Sequence, residues 1–109
     1  MEEKLPPVHP GEILLQDFMK PLKLSHAQVA KDIGVPTVQI SQIVCGQHPI
    51  AADTALRLAR YFGTSAVVWL RLQARYDLEM AEMQLAEQIE REVKVLPRQA
   101  VDILEQGVG

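Results

Sequence analysis

The chain has 109 residues, which is enough for one domain with a modest hydrophobic core and an appended helix. Its net charge of −3 argues by itself against a nucleic acid as partner, and its longest apolar run, residues 66–70, is too short to span a membrane. The start MEEKLPP is charged and proline-rich, unlike a signal peptide, and the single Cys45 cannot form an internal disulfide, so we expect a cytoplasmic protein.

A short tail, residues 1–9, precedes the first predicted helix, which covers residues 11–19. Pro21 ends this helix because proline cannot continue the backbone hydrogen bonding. His9, just before Pro10, is expected to assist the entry to the helix and not to bind a ligand. The predicted apolar face is formed by Ile13, Leu14 and Phe18.

Residues 24–46 predict two short helices joined by a tight turn. Ser25 is a suitable N-cap for the first, because its hydroxyl can accept a free amide hydrogen of the first turn. Gly34 stands where a left-handed C-cap is needed, and Pro36 suits the start of the second helix. The apolar positions of the two helices are Val29, Ala30, Ile33, Ile40, Ile43 and Val44. This combination is typical of a helix-turn-helix, whose second helix lies in the DNA major groove.

The outward face of the second helix supplies the candidate DNA-binding residues. With its isoleucines turned inward, the other side presents Thr37, Val38, Ser41, Gln42 and Cys45, with Gln39 on the flank. Gln42 can make paired hydrogen bonds to an adenine edge, and Val38 can pack against a thymine methyl group. The hydroxyls of Thr37 and Ser41 can bond to bases or phosphates, or can simply be solvated.

Further candidates lie on the first helix of the motif. His26 follows the N-cap and is placed to reach a phosphate or a base, and Gln28 and Lys31 are added to the predicted DNA-binding set. Residues 33–52 contain no Lys, Arg, Asp or Glu. Since neutralisation of phosphates supplies most nonspecific DNA affinity, a single subunit is expected to bind modestly and to depend on dimerisation. Nearby cations that can contribute are Lys20, Lys23 and Lys31.

Two more helices are predicted after the motif. The fourth covers residues 54–62, with Asp53 as its N-cap and Gly63 at its end. The fifth begins after Thr64 and Ser65, either of which can cap it, and extends to about residue 94. Expected core positions in these helices are Ala55, Leu58, Ala59, Phe62, Val68, Trp69 and Leu72.

The fifth helix is long enough to outrun the domain core and carries an apolar stripe beyond it. The stripe consists of Leu78, Ala81, Leu85, Ile89, Val93 and Leu96. We predict that a second copy of the helix covers it, with Leu78, Leu85 and Ile89 as dimerisation residues. The alternative is that residues 97–106 fold back over it.

The acidic excess of the chain is confined to this C-terminal part. Residues 1–64 hold six cations and six anions, whereas residues 65–109 hold five cations and eight anions. The proposed DNA-binding part is therefore neutral overall. The acidic part is either a solvated helix face or a surface for a basic protein partner.

Metal binding and catalysis are not predicted. Cys45 and His48 lie close in sequence, but a zinc site needs about four ligands, and only His9 and His26 remain to complete one. A catalytic thiol would need an orienting partner and a formed pocket. We expect no cofactor, no metal and no enzymatic activity.

Three segments resemble signatures of the HigA-type antitoxins. They are HPGEIL at residues 9–14, ADTALRLARYFGTS at residues 52–65 and WLRLQ at residues 69–73. The helix-turn-helix between them is similar to that of the phage-repressor (Xre) class. The resemblance spans about residues 8–78, and it maps the recognition helix of the family onto residues 37–45.

The resemblance implies an all-α, five-helix, Xre/phage-repressor-like helix-turn-helix fold with an extended C-terminal helix. The predicted organisation is a tail at residues 1–9, a DNA-binding domain at residues 10–76 and a dimerising helix and tail at residues 77–109. It also implies a homodimeric antitoxin that neutralises a HigB/RelE-like mRNA endonuclease toxin and represses its own operon through double-stranded DNA with an inverted repeat. Two alternatives remain: a stand-alone dimeric repressor, and a protein-interaction adaptor that has lost DNA binding.

Overall fold

The computed structural model describes residues 5–97, and within that range it contains helices and no strand. The predicted all-α fold of five helices with an extended last helix is confirmed. The helices are α1 (Pro10–Ile13), which continues as a π-helix (Leu14–Met19), α2 (His26–Ile33), α3 (Thr37–Val44), α4 (Ala52–Phe62) and α5 (Ala66–Glu92). No helix in the described part is both long and apolar enough to cross a membrane. The alternative fold-back of residues 97–106 lies outside the described residues, apart from Pro97.

His9 forms the entry to the first helix, as predicted. It is the N-cap, and its buried Nδ1 atom accepts a hydrogen bond of 2.9 Å from the backbone N–H of Gly11. Pro10 occupies the first helical position, where no intrahelical N–H is required. The imidazole ring of His9 also packs edge-on against Tyr76 of α5, with ring centroids 4.8 Å apart.

The second half of the first helix is wider than an α-helix. The N–H of Lys20 donates to the carbonyl of Leu15, five residues back, over 2.9 Å. Residues five apart therefore come close to the same face, and Leu14 and Met19 are both fully buried. The α-helical spacing used above predicted Leu14 but could not predict Met19.

The start of α4 differs from the prediction. Ala51 is the N-cap and Asp53 lies inside the first turn, so Asp53 is not the cap. Its carboxylate instead accepts a hydrogen bond of 2.6 Å from Arg57, one turn later. An acidic side chain here also complements the positive end of the helix dipole. Gly63, with φ 73°, ends α4 as expected.

Ser65 is the N-cap of α5, and its hydroxyl accepts a hydrogen bond from the N–H of Val67. Thr64 has a different role, because its hydroxyl accepts a 2.9 Å hydrogen bond from the buried indole of Trp69. The prediction that Val68 belongs to the core is wrong, since this side chain is 47% exposed. Trp69 and Gln73 turn inward instead, which places Val68 on the outer side of the helix.

The core lies where all five helices meet. Its fully buried members come from every helix and from the loop before α4: Leu14, Met19, Val29, Ile40, Ile43, Ile50, Ala55, Leu58 and Trp69. Phe18 packs against Phe62 and Trp69, with ring centroids 4.8 and 5.3 Å apart. Gln73 also fixes the loop before α4, because its carbonyl accepts a 2.8 Å hydrogen bond from the N–H of Ile50.

Candidate nucleic-acid interface

The turn between α2 and α3 holds the two helices against each other. Ser25 caps α2 by accepting a 3.0 Å hydrogen bond from the N–H of Gln28, as predicted. Gly34 adopts the predicted left-handed conformation, with φ 78°. Its N–H and that of Val35 both donate to the carbonyl of Ala30, which closes the end of α2. Pro36 then starts α3.

α3 has one buried and one exposed side, in the orientation that the sequence predicts. Ile40 and Ile43 are fully buried, whereas Val44 is only half-buried. We call the outward side the recognition surface and define it by Thr37, Val38, Ser41, Gln42 and Cys45. Val38 is 61% exposed and Thr37, Gln42 and Cys45 are exposed, while Ser41 is half-buried.

Ser41 is half-buried because it meets His26 at the start of α2. The Nδ1 atom of His26 lies 3.1 Å from the Ser41 hydroxyl oxygen. Two predicted DNA-binding residues from different helices are therefore joined at one place. Their contact fixes the relative position of the α2 N-terminus and the recognition surface.

The other predicted residues are placed differently. The amide of Gln39 donates a 3.0 Å hydrogen bond to Thr54, so this side chain faces α4 at the flank of the recognition surface. Gln28 donates to Asp32 over 2.8 Å and is exposed on α2. Lys31 is exposed on the same helix.

A polar cluster next to α2 involves Asp32 and Tyr61. Two hydrogen bonds lower the pKa of the Asp32 carboxyl: the larger effect comes from Gln28 and the smaller from the Tyr61 hydroxyl. The same contact with Asp32, 2.5 Å long, raises the pKa of Tyr61 to about 12. The pair joins α2 to α4 and so supports the helix on which His26 lies.

Two residues that position the recognition helix were not predicted. Gly11 lies under the C-terminal end of α3, where an added Cβ atom would be 1.7 Å from the Ile43 carbonyl oxygen. Arg57 of α4 donates a 2.8 Å hydrogen bond to the carbonyl of Ile33 and a longer one to Gly34. Gly11 lies within HPGEIL and Arg57 within ADTALRLARYFGTS. The resemblance of these two segments to HigA-type antitoxins is the sequence signal that could have indicated both residues.

Metal ligands are not gathered at this site. Within residues 5–97, no three side chains of His, Cys, Asp or Glu come together in a group able to hold a metal ion. Cys45 is exposed as a free thiol at the end of α3. The chemistry that the recognition surface offers is hydrogen bonding and apolar contact from an uncharged helix.

Comparisons with known proteins point to the same class of site. A helix-turn-helix family model, HTH_3, matches residues 15–69. Virulence-associated protein I of Dichelobacter nodosus is 49% identical over 81 residues, which are 74% of this chain and 75% of that protein.

Two solved structures share the fold at high identity. An addiction module antidote protein of the HigA family from Coxiella burnetii is 43% identical, with a TM-score of 0.80 over 84% of this chain and 100% of that one. The antitoxin HigA of Pseudomonas aeruginosa, solved with the higBA promoter, is 42% identical, with a TM-score of 0.80 over 83% of this chain and 98% of that one.

Proposed function

This chain belongs to the HTH_3 helix-turn-helix family and has HigA antitoxins as structural neighbours, and from that premise we propose that it is a sequence-specific DNA-binding antitoxin that represses its own operon. The family consists of transcriptional regulators and antitoxins and is not enzymatic. The Pseudomonas aeruginosa HigA structure with its promoter supports an operator as the DNA ligand. A repressor acts on the chromosome, so the proposed localisation of this protein is the cytoplasm.

The observation that carries this proposal is the orientation of α3. Its isoleucines are buried and its polar side chains are outward, so the recognition surface is free to meet base edges in the major groove. Gln42 donates and accepts at one adenine, and Val38 contacts a thymine methyl group. Thr37 and Cys45 add contacts at the two ends of α3, and Gln39, whose amide nitrogen is held by Thr54, lies at the flank of the proposed interface.

The start of α2 adds contacts to the DNA backbone. His26 reaches a phosphate while it holds Ser41, and Gln28 is exposed two residues further along α2. Because residues 33–52 carry no formal charge, the cationic contribution comes from Lys20, Lys23 and Lys31, all of which are exposed.

Two-fold symmetry completes the proposed repressor. Leu78, Leu85 and Ile89 on α5 are 63%, 40% and 48% exposed in the single chain, as expected of an interface that a second copy covers. A dimer of this kind binds an inverted repeat with half-sites about one helical turn apart.

The protein partner in this proposal is a HigB/RelE-like mRNA endonuclease toxin. The antitoxin neutralises it through a surface other than the recognition surface. A small basic reading frame of this type beside the gene supports the antitoxin over a stand-alone repressor, and its absence supports the repressor.

The decisive experiment measures the affinity of this protein for the promoter of its own gene at a defined salt concentration. Gln42→Ala is expected to weaken binding by about 1–3 kcal/mol and to relax one base preference. Gln16→Ala, an exposed glutamine on the first helix, is the matched control and should bind as the parent does. If the parent and Gln42→Ala bind every operator variant equally well, the assignment of Gln42 is wrong. A parent that does not bind the promoter at all supports the adaptor alternative.

A further inference from the structure

The contact between His26 and Ser41 leaves hydrogen-bonding capacity on both side chains for a DNA ligand. The imidazole Nδ1 atom of His26 lies 3.1 Å from the Ser41 hydroxyl oxygen, and both side chains are half-buried. The other ring nitrogen of His26, Nε2, has no hydrogen-bond partner within residues 5–97. It is accessible to solvent, because that part of the chain contains no buried side-chain nitrogen or oxygen without a partner. Nε2 can therefore meet a phosphate while Nδ1 holds Ser41.

A phosphate at Nε2 decides which ring nitrogen of His26 carries the proton. The phosphate oxygens accept hydrogen bonds, so Nε2 must be the donor. In a neutral imidazole the second nitrogen, Nδ1, is then an acceptor, and it takes the hydrogen of the Ser41 hydroxyl. The oxygen of Ser41 is left with lone pairs only. In this state Ser41 can accept a hydrogen bond from a base but cannot donate one.

Protonation of His26 reverses the role of Ser41. In the imidazolium both ring nitrogens are donors, so Nδ1 donates to the Ser41 oxygen. The hydroxyl hydrogen is then free to point toward a base, since the Ser41 hydroxyl has no other partner among the described residues. In the major groove cytosine presents a donor, whereas guanine presents two acceptors. The neutral and the protonated state of His26 therefore favour opposite orientations of a G·C pair.

The charged groups around α2 do not draw His26 away from Ser41. α2 packs against α3 and α4. The other charged and titratable residues of these three helices, of the α3 C-cap and of the loop before α2 are Lys20, Lys23, Lys31, Asp32, Cys45, Asp53, Arg57, Arg60 and Tyr61. Asp32 is bonded to Gln28 and Tyr61, and Asp53 is bonded to Arg57, so both carboxylates are engaged elsewhere. The remaining charged groups are cations, which oppose protonation of His26, whereas a bound phosphate favours it.

We propose that His26 determines which base Ser41 reads, with cytosine preferred while His26 is neutral and guanine preferred once His26 is protonated. This rests on the proposed function, because it requires the recognition surface to lie in the major groove. The pair then couples a phosphate contact from α2 to a base contact from α3. Histidine side chains change charge between about pH 5 and pH 8, so both states are accessible to experiment.

The test uses the full-length protein and duplexes that carry the promoter of its own gene. Each base pair of the bound segment is replaced in turn by C·G and by G·C, and the ratio of the two affinities is measured by fluorescence anisotropy at pH 8 and pH 6. This ratio is insensitive to partial unfolding, because both affinities come from the same protein sample. At one position of each half-site the ratio is expected to shift toward guanine at pH 6 by at least about fivefold.

Three variants assign this shift to particular side chains. Ser41→Ala removes the hydroxyl, and His26→Gln keeps a donor for the phosphate without a titrating ring. In both variants the ratio is expected to change by less than about twofold between the two pH values. His48→Gln removes the other half-buried histidine, whose Nδ1 atom contacts the carbonyl of Pro49, and it is the matched control that should keep the full shift.

The outcomes separate the role of His26 from the proposed function. If the parent binds the promoter but no position shows the shift, or if the shift persists in Ser41→Ala or His26→Gln, the role of His26 is wrong and the proposed function stands. Loss of the shift in His48→Gln assigns it to that residue and likewise overturns the role of His26. A parent that does not bind the promoter at either pH overturns both.

Discussion

At the scale of single residues, Gly11 shows how a missing side chain sets the position of the recognition helix. The first helix crosses the C-terminal end of α3 so closely that a Cβ at Gly11 would overlap the carbonyl of Ile43. That contact involves backbone, which cannot rotate away as a flexible side chain can. Any larger residue must therefore displace α3, and with it the recognition surface.

Gly11→Ala is accordingly expected to lower the free energy of unfolding by about 2–4 kcal/mol and to weaken promoter binding. Chemical denaturation and a promoter titration measure the two effects. Gln16→Ala, on the same helix but exposed, should change stability by no more than about 0.5 kcal/mol. An alanine variant as stable as the parent would contradict the close approach of the two helices.

The cap that His9 provides at the start of the first helix depends on pH. Its Nδ1 atom accepts the hydrogen bond from Gly11, so the imidazole must be neutral to cap the helix. Burial lowers the pKa of His9 below its ordinary value of 6.5, and the nearby Asp77 carboxylate opposes this shift. The folded state thus takes up this proton at lower pH than the unfolded chain does.

The sign of the pH effect follows from that difference. Well above pH 6.5 His9 is neutral in both states. As the pH falls through this value, the unfolded chain binds the proton first and folding loses stability. His9→Asn keeps a cap acceptor that does not titrate. Urea denaturation between pH 7.5 and pH 5 should show a smaller loss of stability in His9→Asn than in the parent. Equal losses in the two proteins would show that His9 is not the group responsible.

At the scale of elements, Arg57 makes the turn of the helix-turn-helix part of the rest of the fold. Its guanidinium donates to the carbonyl of Ile33 at the end of α2 and is itself held by Asp53, one turn earlier on α4. The Ile33 carbonyl has no partner within α2, because it lies in the last turn of that helix. α4 therefore supplies the hydrogen bonds that complete α2 and fix the angle at which α3 leaves the turn.

Arg57→Met should lower the free energy of unfolding by about 1–2 kcal/mol, because a charged donor to backbone carbonyls is lost. Promoter binding should weaken as well, since the turn is then less well fixed. Arg60→Met removes a guanidinium from an exposed position on the same helix and is the matched control. Equal stabilities for the two variants, measured by chemical denaturation, would show that the contact with Ile33 has no structural importance.

Local signals explain which elements were predictable. The caps at Ser25, Gly34 and Ser65 depend on the chemistry of one residue and its nearest amides, and the structure confirms all three. Asp53 was assigned wrongly by the same reasoning, because its carboxylate is satisfied by Arg57 and the cap position falls two residues earlier. A cap is predictable only where no other partner competes for the capping side chain.

Features that depend on tertiary packing were not predictable from spacing. The π-helix that buries Met19 responds to the packing of the first helix, and α-helical periodicity contains no sign of it. In the candidate site, the outward face of α3 followed from helical periodicity alone. The contacts of Ser41 with His26 and of Gln39 with Thr54 join residues fifteen apart in sequence, and only the fold brings them together.

At the scale of the whole molecule, α5 extends the proposed dimerisation residues away from the proposed recognition surface. Its 27 residues span about 40 Å, and its first turns are anchored in the core by Trp69 and Gln73. Beyond Ala81 the side chains are exposed, including those of Leu85 and Ile89. The uncharged recognition surface offers little electrostatic affinity, so the proposed repressor is expected to depend on simultaneous binding of two half-sites.

The double variant Leu85→Gln and Ile89→Gln tests this division. Glutamine keeps helix propensity and adds no charge, so any loss of DNA affinity reports on assembly and not on electrostatics. We expect the variant to be monomeric in analytical ultracentrifugation and to bind the promoter at least about tenfold more weakly than the parent. Leu56→Gln, an equally polar change at an exposed position of α4, should leave the dimer intact. A monomeric variant that binds the promoter as tightly as the parent would contradict the proposed need for two subunits, and the uncharged helix would then have to provide the affinity alone.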